Sequence, residues 1–277
     1  MKFLKIIGKI LSVFVGLIIS IVCFTMIIYM SISNFMKVDN LKQSINTKNL
    51  LKIEYGENTL KDNLIASFNE IGISENDMKE VIESSEFNGL FDDYLDKVMK
   101  YYLEDGEFPT FSEEKLNLFV NSVISKSSTL SPEQTEYIKE ELKKKKVEIE
   151  KTLPDRDEIL KDADVKEIIN IYNSISIFYF IGTIIILMFL IFIFTWSLHI
   201  PFLYAGISFV VPSIVLVIGS LFKNTIIKFF NLEEFINIVL NQVFNQLLTS
   251  SLIMLSIGII FIIIYIVIEK TKNKVEA

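Results

Sequence analysis

Hydrophobic residues concentrate in a few long stretches of this 277-residue chain, and a charged stretch separates the first of them from the rest. Residues 10–30 carry no charge and make about 31 Å of helix, which is enough to cross a bilayer. Residues 168–222 contain 55 positions without Asp, Glu, Lys or Arg, which fits two spans joined by a turn. The last apolar run covers residues 251–268. The pattern predicts four transmembrane helices.

Three interpretations compete for the first apolar run. A lipoprotein signal requires a small residue directly before Cys23, and Val22 is not small. A cleaved secretory signal has a shorter apolar core, although Ser31 and Ser33 offer a small-x-small cleavage site. The length of the run and its basic flank favour an uncleaved signal anchor.

Three lysines lie between the N-terminus and the first apolar run, and three more follow the last apolar run. They are Lys2, Lys5 and Lys9 before the first run, and Lys270, Lys272 and Lys274 after the last. Because positive flanks mark the cytoplasmic side, both termini are expected in the cytoplasm, and four spans satisfy that parity. The intervening charged stretch is then expected outside the cell membrane.

This topology divides the chain into six segments. They are a cytoplasmic tail with the signal anchor (1–31), an extracytoplasmic helical domain (32–172), the second and third spans with a short cytoplasmic turn (173–222), an amphipathic extracytoplasmic helix (223–250), the fourth span (251–269) and a cytoplasmic tail (270–277). The amphipathic segment has a helical apolar stripe, typical of a helix that lies on a surface or protrudes from it. The stripe consists of Leu232, Phe235, Ile236, Val239, Val243 and Leu247. Because no Gly or Pro interrupts residues 221–257, this helix can also run straight into the last span.

The charged stretch shows helix starts and no alternating strand pattern of useful length. Ser74 with Asp77 predicts one start, and Ser131, Pro132 and Gln134 predict a capping box. Between these two starts, one apolar helical face is formed by Phe87, Phe91, Tyr94, Leu95, Val98 and Tyr102. Gly106 and Pro109 then end this helix, and Ser112 begins another. The fold class predicted for the whole chain is all-α.

The composition supports a membrane part joined to a charged part, since 51% of the residues are hydrophobic and 22% are charged. Residues 31–170 hold 30 acidic and 19 basic residues, which argues against a nucleic-acid partner. The chain has 26 Lys and a single Arg, a bias that indicates AT-rich coding and a bacterial origin. Its one cysteine, Cys23, allows no disulfide within the chain.

The segment TWSLHIP, residues 195–201, holds the only Trp and the only His. It lies where the turn between the second and third spans must fall, and Pro201 suits the first turn of a helix. Trp196 is typical of a membrane interface. His199 is either a pH sensor or a polar residue at headgroup level, and no second His, Cys or carboxylate is near enough to form a metal site. A plain turn is the favoured interpretation.

Two charged groups in the outer stretch are candidates for binding. The first is acidic: Asp92, Asp93, Asp96, Glu104, Asp105 and Glu107. Its spacing does not match a calcium loop, and the i,i+4 pairs Asp93–Lys97 and Asp96–Lys100 predict a solvated helix face instead. The second is the run of four lysines at residues 143–146, for which the pairs Glu140–Lys144 and Glu141–Lys145 predict the same.

Sequence motifs assign no catalytic, cofactor-binding or metal-binding residue. There is no P-loop, zinc spacing or GxSxG, and the apolar runs 10–30, 168–222 and 251–268 carry no Asp, Glu, Lys or Arg of the kind that ion-coupled transporters use. On the third span Gly206, Ser213 and Ser220 recur every seven residues, which favours close approach of another helix, and Pro212 favours a kink. The expected partners are the lipid bilayer and, through this stripe or the outer domain, another protein. The sequence does not set the oligomeric state.

Together these features predict a non-enzymatic, multi-pass bacterial membrane protein whose acidic outer domain serves as a sensor, scaffold or accessory subunit. The alternative comes from topology. One span, a large outer domain and three further spans resemble the permease subunits of FtsX- and MacB-type ABC transporters. That resemblance implies outer-domain motions coupled to a separate cytoplasmic ATPase.

Overall fold

The computed structural model describes residues 2–55, 58–70, 72–104, 106–127, 131–159, 176–230 and 234–275. Its helices are α1 (Lys2–Phe35), α2 (Val38–Ser44), α3 (Thr47–Leu50), α4 (Leu60–Glu70), α5 (Glu75–Ile82), α6 (Ser85–Leu103), α7 (Glu113–Lys126), α8 (Pro132–Thr152), α9 (Arg156–Ile159), α10 (Ile177–Thr195), α11 (Ile200–Leu221), α12 (Lys223–Phe230) and α13 (Glu234–Val275). The all-α prediction is confirmed.

Within the described residues, one small sheet accompanies the helices. Strands β1 (Glu54–Tyr55) and β2 (Asn58–Thr59) pair antiparallel, with Glu54 opposite Thr59. Strands of two residues are too short to produce an alternating hydrophobic pattern, so the sequence analysis did not predict them.

The chain divides into two compact units. One, the charged unit, comprises residues 36–168 and 231–239. The other, the apolar unit, comprises residues 1–35, 169–230 and 240–277. The predicted domain boundary between residues 172 and 173 lies outside the described residues.

Serine side chains begin the main helices of the charged unit. The hydroxyl oxygens of Ser74, Ser84, Ser112 and Ser131 each accept a hydrogen bond from the backbone N–H three residues later. At α8, Gln134 Oε1 also accepts from the Ser131 N–H at 2.8 Å, which completes the predicted capping box. Each such cap stabilises its helix by about 1 kcal/mol because it satisfies an otherwise unpaired N–H.

The core of the charged unit forms where α4 to α8 pack together. Of the predicted face of α6, Phe87 and Tyr94 are buried, and Phe91 and Val98 pack against the same core. Leu90 of α6 is also buried, at 2% exposure. The predicted helix break is confirmed, since α6 ends at Leu103, before Gly106 and Pro109.

In the described residues, four helices are long and apolar enough to cross a membrane, which indicates a membrane protein. They are Ile6–Phe35, Ile177–Thr195, Ile200–Leu221 and Glu234–Lys272. Many of their large apolar side chains point outward. Phe178 is 77% exposed, Ile185 60% and Phe189 60%, and such surfaces are stable against lipid and not against water.

Close backbone contacts hold the apolar unit together. Gly8 of α1 lies against the Phe194 carbonyl of α10, so closely that a Cβ there would overlap it. The Ser208 hydroxyl of α11 donates to the Gly16 carbonyl of α1 at 2.8 Å. Cys23 of α1 is fully buried in the same core.

Two helices begin within the predicted amphipathic segment 223–250. The structure has α12, then residues 231–233, which lie outside the described part, and then α13, which is continuous from Glu234 to Val275. The alternative of a helix that runs straight into the last span is therefore confirmed from Glu234 onward, where no Pro interrupts it and Gly258 is its first Gly. Leu232 of the predicted stripe lies outside the described residues.

Candidate functional site

A cavity of about 330 Å³ opens among α4, α6, α7 and α8 of the charged unit. Its walls are mostly apolar. Side chains that form them include Phe68, Leu90, Phe91, Phe111, Leu116 and Phe119. A volume of this size lies at the lower end of the range for small-molecule sites, which is roughly 300–1,000 Å³. We call this cavity the helical pocket.

Aromatic rings arranged edge to face form one wall of the helical pocket. The rings of Phe91 and Phe111 are 5.8 Å apart at 81°, and those of Phe91 and Phe119 are 6.5 Å apart at 81°. Phe87, behind them, lies 4.6 Å from Phe91. Tilted and edge-to-face pairs are favoured arrangements that fix the rings relative to one another, so the wall is formed before any ligand arrives.

Phe111 precedes α7 and is held in place from three directions. Its N–H donates to Glu150 Oε1 at 2.8 Å, and its ring stacks on Tyr94 with centroids 3.9 Å apart. Beside it, Lys97 Nζ donates to the Thr110 carbonyl at 3.0 Å. These contacts give a loop residue the fixed position that a binding wall requires.

The polar part of the pocket lining lies mainly on α8. Glu141, Lys145 and Lys146 line it together with Ser67 of α4. The Ser67 hydroxyl donates to the Asn63 carbonyl at 3.0 Å. The helical pocket therefore has apolar walls and one charged edge.

Ion pairs occupy that charged edge. Glu141 pairs with Lys144 at 2.7 Å, Lys145 pairs with Glu148 at 2.8 Å, and Lys146 pairs with Glu113 of α7. The hydrogen bond to Glu148 raises the pKa of Lys145, and the hydrogen bond from Lys146 lowers the pKa of Glu113. Lys145 and Glu148 are both exposed, and exposed pairs of this kind contribute little to stability, so a ligand can replace Glu148 at small cost.

The predicted partners of the lysine run are wrong in detail. Lys144 pairs with Glu141 and not with Glu140, and Lys145 pairs with Glu148 and not with Glu141. Residues three and four apart on a helix are both neighbours, so sequence spacing alone does not choose between them.

The acidic group on α6 forms ion pairs. Asp93 pairs with Lys97 at 3.0 Å and with Lys115 of α7 at 2.7 Å, and the first of these pairs was predicted. Partial burial raises the pKa of Asp93, but hydrogen bonds from the two lysines outweigh it, and the pKa lies below its ordinary value.

Asp96 behaves in the same way. It pairs with Lys100 as predicted, at 3.0 Å, and with Lys42 of α2 at 2.6 Å, so its pKa is also lowered although burial opposes the shift. The neighbouring Asp92 accepts from the Thr47 N–H at 2.7 Å. In the described part of the chain, which omits Asp105, no group of three His, Cys, Asp or Glu side chains is placed to hold a metal ion.

Residues 196–199 connect α10 to α11, within the segment 195–201 in which the turn was predicted. Trp196 ends α10 in the left-handed conformation, with a φ of 49°, and its side chain is 84% exposed. The Ser197 hydroxyl lies 3.0 Å from His199 Nδ1, and the His199 ring lies 5.7 Å from that of Tyr265 on α13. Pro201 occupies the first turn of α11, as predicted.

The small residues of the third span lie inside the apolar unit. Gly206 faces Gly258 and Ile262 of α13, and a Cβ on Gly206 would lie 2.6 Å from Ile262 Cγ1. Ser213 and Ser220 are buried and donate to the Phe209 and Leu216 carbonyls. A helix of the same chain therefore covers the Gly206 end of this stripe.

The sequence analysis did not identify the helical pocket. Its lining comes from four helices that are far apart in the chain, and only the positions on α6 had been grouped on one face. Leu64, Phe68 and Ile149 carry no sequence signal beyond their apolar character. Comparison with known protein families, curated proteins and solved structures gives no match.

Proposed function

We propose that this chain is a non-enzymatic, multi-pass protein of a bacterial cell membrane whose charged unit is an extracytoplasmic sensor that binds a small amphiphilic ligand. The observation that carries the proposal is the helical pocket in the charged unit. Four membrane-length helices supply the anchor, and the basic flanks of the first and last apolar runs support cytoplasmic termini.

The pocket lining favours hydrocarbon over polar ligands. Apolar side chains, several of them aromatic, form the walls, so removing an acyl chain from water into the pocket stabilises the complex by about 25 cal/mol per Å² of apolar surface. The volume exceeds twice the roughly 150 Å³ of an apolar cavity that accepts benzene. A medium-length acyl chain is the matching class of ligand.

The charged edge supports a ligand with a polar end. Lys145 is 66% exposed and its partner Glu148 62% exposed, so an anionic headgroup can displace Glu148 from the Lys145 ammonium. Lys146 is different, because its side chain is only 16% exposed and its partner Glu113 comes from another helix. Lys145 is therefore the headgroup ligand that we expect.

The lining supports binding more than chemical catalysis. Its one hydroxyl, on Ser67, donates to a backbone carbonyl, and its carboxylate, on Glu141, pairs with Lys144. A nucleophile requires a general base within hydrogen-bonding distance, and the lining residues do not provide that arrangement. Because four helices contribute to the walls, an occupied pocket changes what those helices pack against, which is the property a sensor requires.

The test is photolabelling of the full chain in lipid nanodiscs, since detergent would compete for the pocket. A diazirine-bearing medium-chain fatty acid should label the segment 85–149, and excess unlabelled fatty acid should remove the label. Ile149→Trp should reduce labelling at least several-fold because the larger ring fills the pocket edge, whereas Val147→Trp on the same helix should not. Both positions are partly exposed, so both variants are expected to fold.

Label confined to the spans, or label in segment 85–149 that is equal in the two variants, would contradict the proposal. The permease-type alternative makes a separate prediction. A C-terminally tagged chain extracted gently from its native membrane would then bring with it a stoichiometric ATPase.

A further inference from the structure

Helix α12 follows the membrane-length helix α11 after a single intervening residue, Phe222. Its eight residues make about 12 Å of helix, whereas about 30 Å is needed to cross the hydrocarbon layer. A helix of this length directly after a span lies near the end of that span. For a protein in a membrane, that place is the interfacial layer.

The exposed surface of α12 is apolar along one side. Phe229 is 83% exposed and Ile226 36% exposed, while Ile227 is buried, at 7%. The preceding residues continue this surface, with Leu221 69% and Phe222 59% exposed. The exposed apolar side of α12 is therefore continuous with the outward surface of α11, which a bilayer would cover.

The opposite side of α12 is polar and basic. Asn224 and Lys228 are exposed there, and the helix contains no acidic residue. Lys223 already has a partner, since its Nζ donates to Asn245 Oδ1 of α13 at 2.8 Å. Among the described residues, Lys228 is thus the ammonium of α12 that remains available to an anion. Apolar residues on one side and lysine on the other are the pattern of helices that bind anionic membrane surfaces.

We propose that α12 is an interfacial helix that inserts Ile226 and Phe229 among lipid acyl chains and binds anionic lipid headgroups through Lys228. The observations that carry this assignment lie in the apolar unit, so it does not depend on a ligand in the helical pocket. It gives the chain a lipid-selective contact in addition to its membrane-length helices.

Tryptophan fluorescence tests the insertion. In a Trp196→Phe background, Phe229→Trp places the only indole of the chain on α12. The full chain is reconstituted in vesicles whose phospholipids carry brominated acyl chains, and acrylamide is used as the aqueous quencher. Phe189→Trp on α10 is the lipid-exposed control and Phe108→Trp in the charged unit is the water-exposed control, since both phenylalanines are exposed.

We expect the brominated lipid to quench Phe229→Trp as it quenches Phe189→Trp, with weak quenching by acrylamide. Quenching by acrylamide alone, as expected for Phe108→Trp, would overturn the proposal because it places residue 229 in water. Protection from both quenchers would also overturn it, because protein would then cover the helix.

The headgroup assignment has its own test. Replacing part of a zwitterionic lipid with phosphatidylglycerol should favour the inserted state of α12, by about fivefold for one lysine near an anionic surface. Lys228→Gln should abolish this response, whereas Lys48→Gln on the exposed surface of α3 should retain it. An equal response in the two variants would overturn the role of Lys228.

Discussion

In the charged unit, the rings of Phe87, Phe91 and Phe119 pack against one another, whereas in the apolar unit Gly206 and Gly258 bring two backbones into contact. This difference in packing follows from the surroundings of each unit, which are water for the charged surface and lipid for the apolar one. In water, burial of large apolar side chains drives folding. In lipid that drive is lost, and helices associate through close packing of small residues and hydrogen bonds such as Ser208 to Gly16. The same substitution is therefore expected to act differently in the two units.

Truncation of a buried ring should have the largest effect. Phe87 is 1% exposed, so Phe87→Ala is expected to lower the free energy of unfolding of the charged unit by about 3–5 kcal/mol. Pulse proteolysis of the full chain across a urea series measures this, with cleavage mapped to residues 36–159. Phe108→Ala, at a residue 47% exposed, is the control. Equal urea midpoints for the two variants would refute the ring-packed core.

A single added methyl group should distinguish two glycines of α11. Gly206→Ala places a Cβ 2.6 Å from Ile262 and 3.0 Å from the Gly258 carbonyl oxygen, and should destabilise the apolar unit by about 1–3 kcal/mol. Gly219→Ala has open space and should stabilise the helix by about 0.5–1 kcal/mol. SDS titration followed by circular dichroism compares them. The close packing of α11 and α13 would be wrong if both variants gained stability.

Two tyrosines of α6 provide a smaller contrast within the charged unit. The buried Tyr94 hydroxyl has no hydrogen-bond partner in the described residues, whereas the Tyr102 hydroxyl donates to the Pro154 carbonyl at 2.8 Å. Tyr94→Phe is expected to be neutral or stabilising, and Tyr102→Phe to lose about 1 kcal/mol. Thermal unfolding of both variants measures the difference. A loss at Tyr94 as large as that at Tyr102 would mean that the Tyr94 hydroxyl has a partner.

Burial and the neighbouring Glu150 raise the pKa of Tyr94 to about 12. Its ionisation therefore does not complicate this comparison near neutral pH.

The smallest of the predicted effects is a loss of stability of the charged unit in acid. The pKa values of Asp93 and Asp96 are lowered in the folded chain, so their ion pairs stabilise it above the unfolded pKa, about 3.9. This contribution is lost as the pH falls through the lower folded values. Asp93→Asn should flatten the fall of the urea midpoint below about pH 4, whereas Glu107→Gln, at an exposed residue, should not. If the urea midpoint of Asp93→Asn fell below about pH 4 as steeply as that of the unaltered chain, the ion pairs of Asp93 would not contribute to the pH dependence.

Local features of the fold were predictable, and contacts across the chain were not. The caps at Ser74, Ser112 and Ser131 depend on residues three positions apart, and the turn at residues 195–201 depends on the length that a span requires. The helical pocket depends instead on which helices pack together. Phe68 and Ile149 lie more than eighty residues apart in the chain and meet only in the folded unit.

Predictions that were only partly right also depend on contacts between distant parts of the chain. A periodic pattern predicted that Asp93 and Lys97 pair, but Lys115, which shares that carboxylate, lies on another helix. The amphipathic stripe correctly indicated helix in the described residues after 234. The stripe did not distinguish α12 from α13, because the helical period of apolar residues continues from one segment into the other.

Burial of Cys23 has a practical consequence for chemical labelling. The only native thiol is fully enclosed by the apolar core, so a bulky charged maleimide should leave the unaltered chain unmodified while it remains folded. Any single cysteine introduced at an exposed position then carries the whole label without prior removal of a native residue. Cysteines placed at Trp196 and at Leu118, one in each unit, would report on which side of a sealed vesicle each lies.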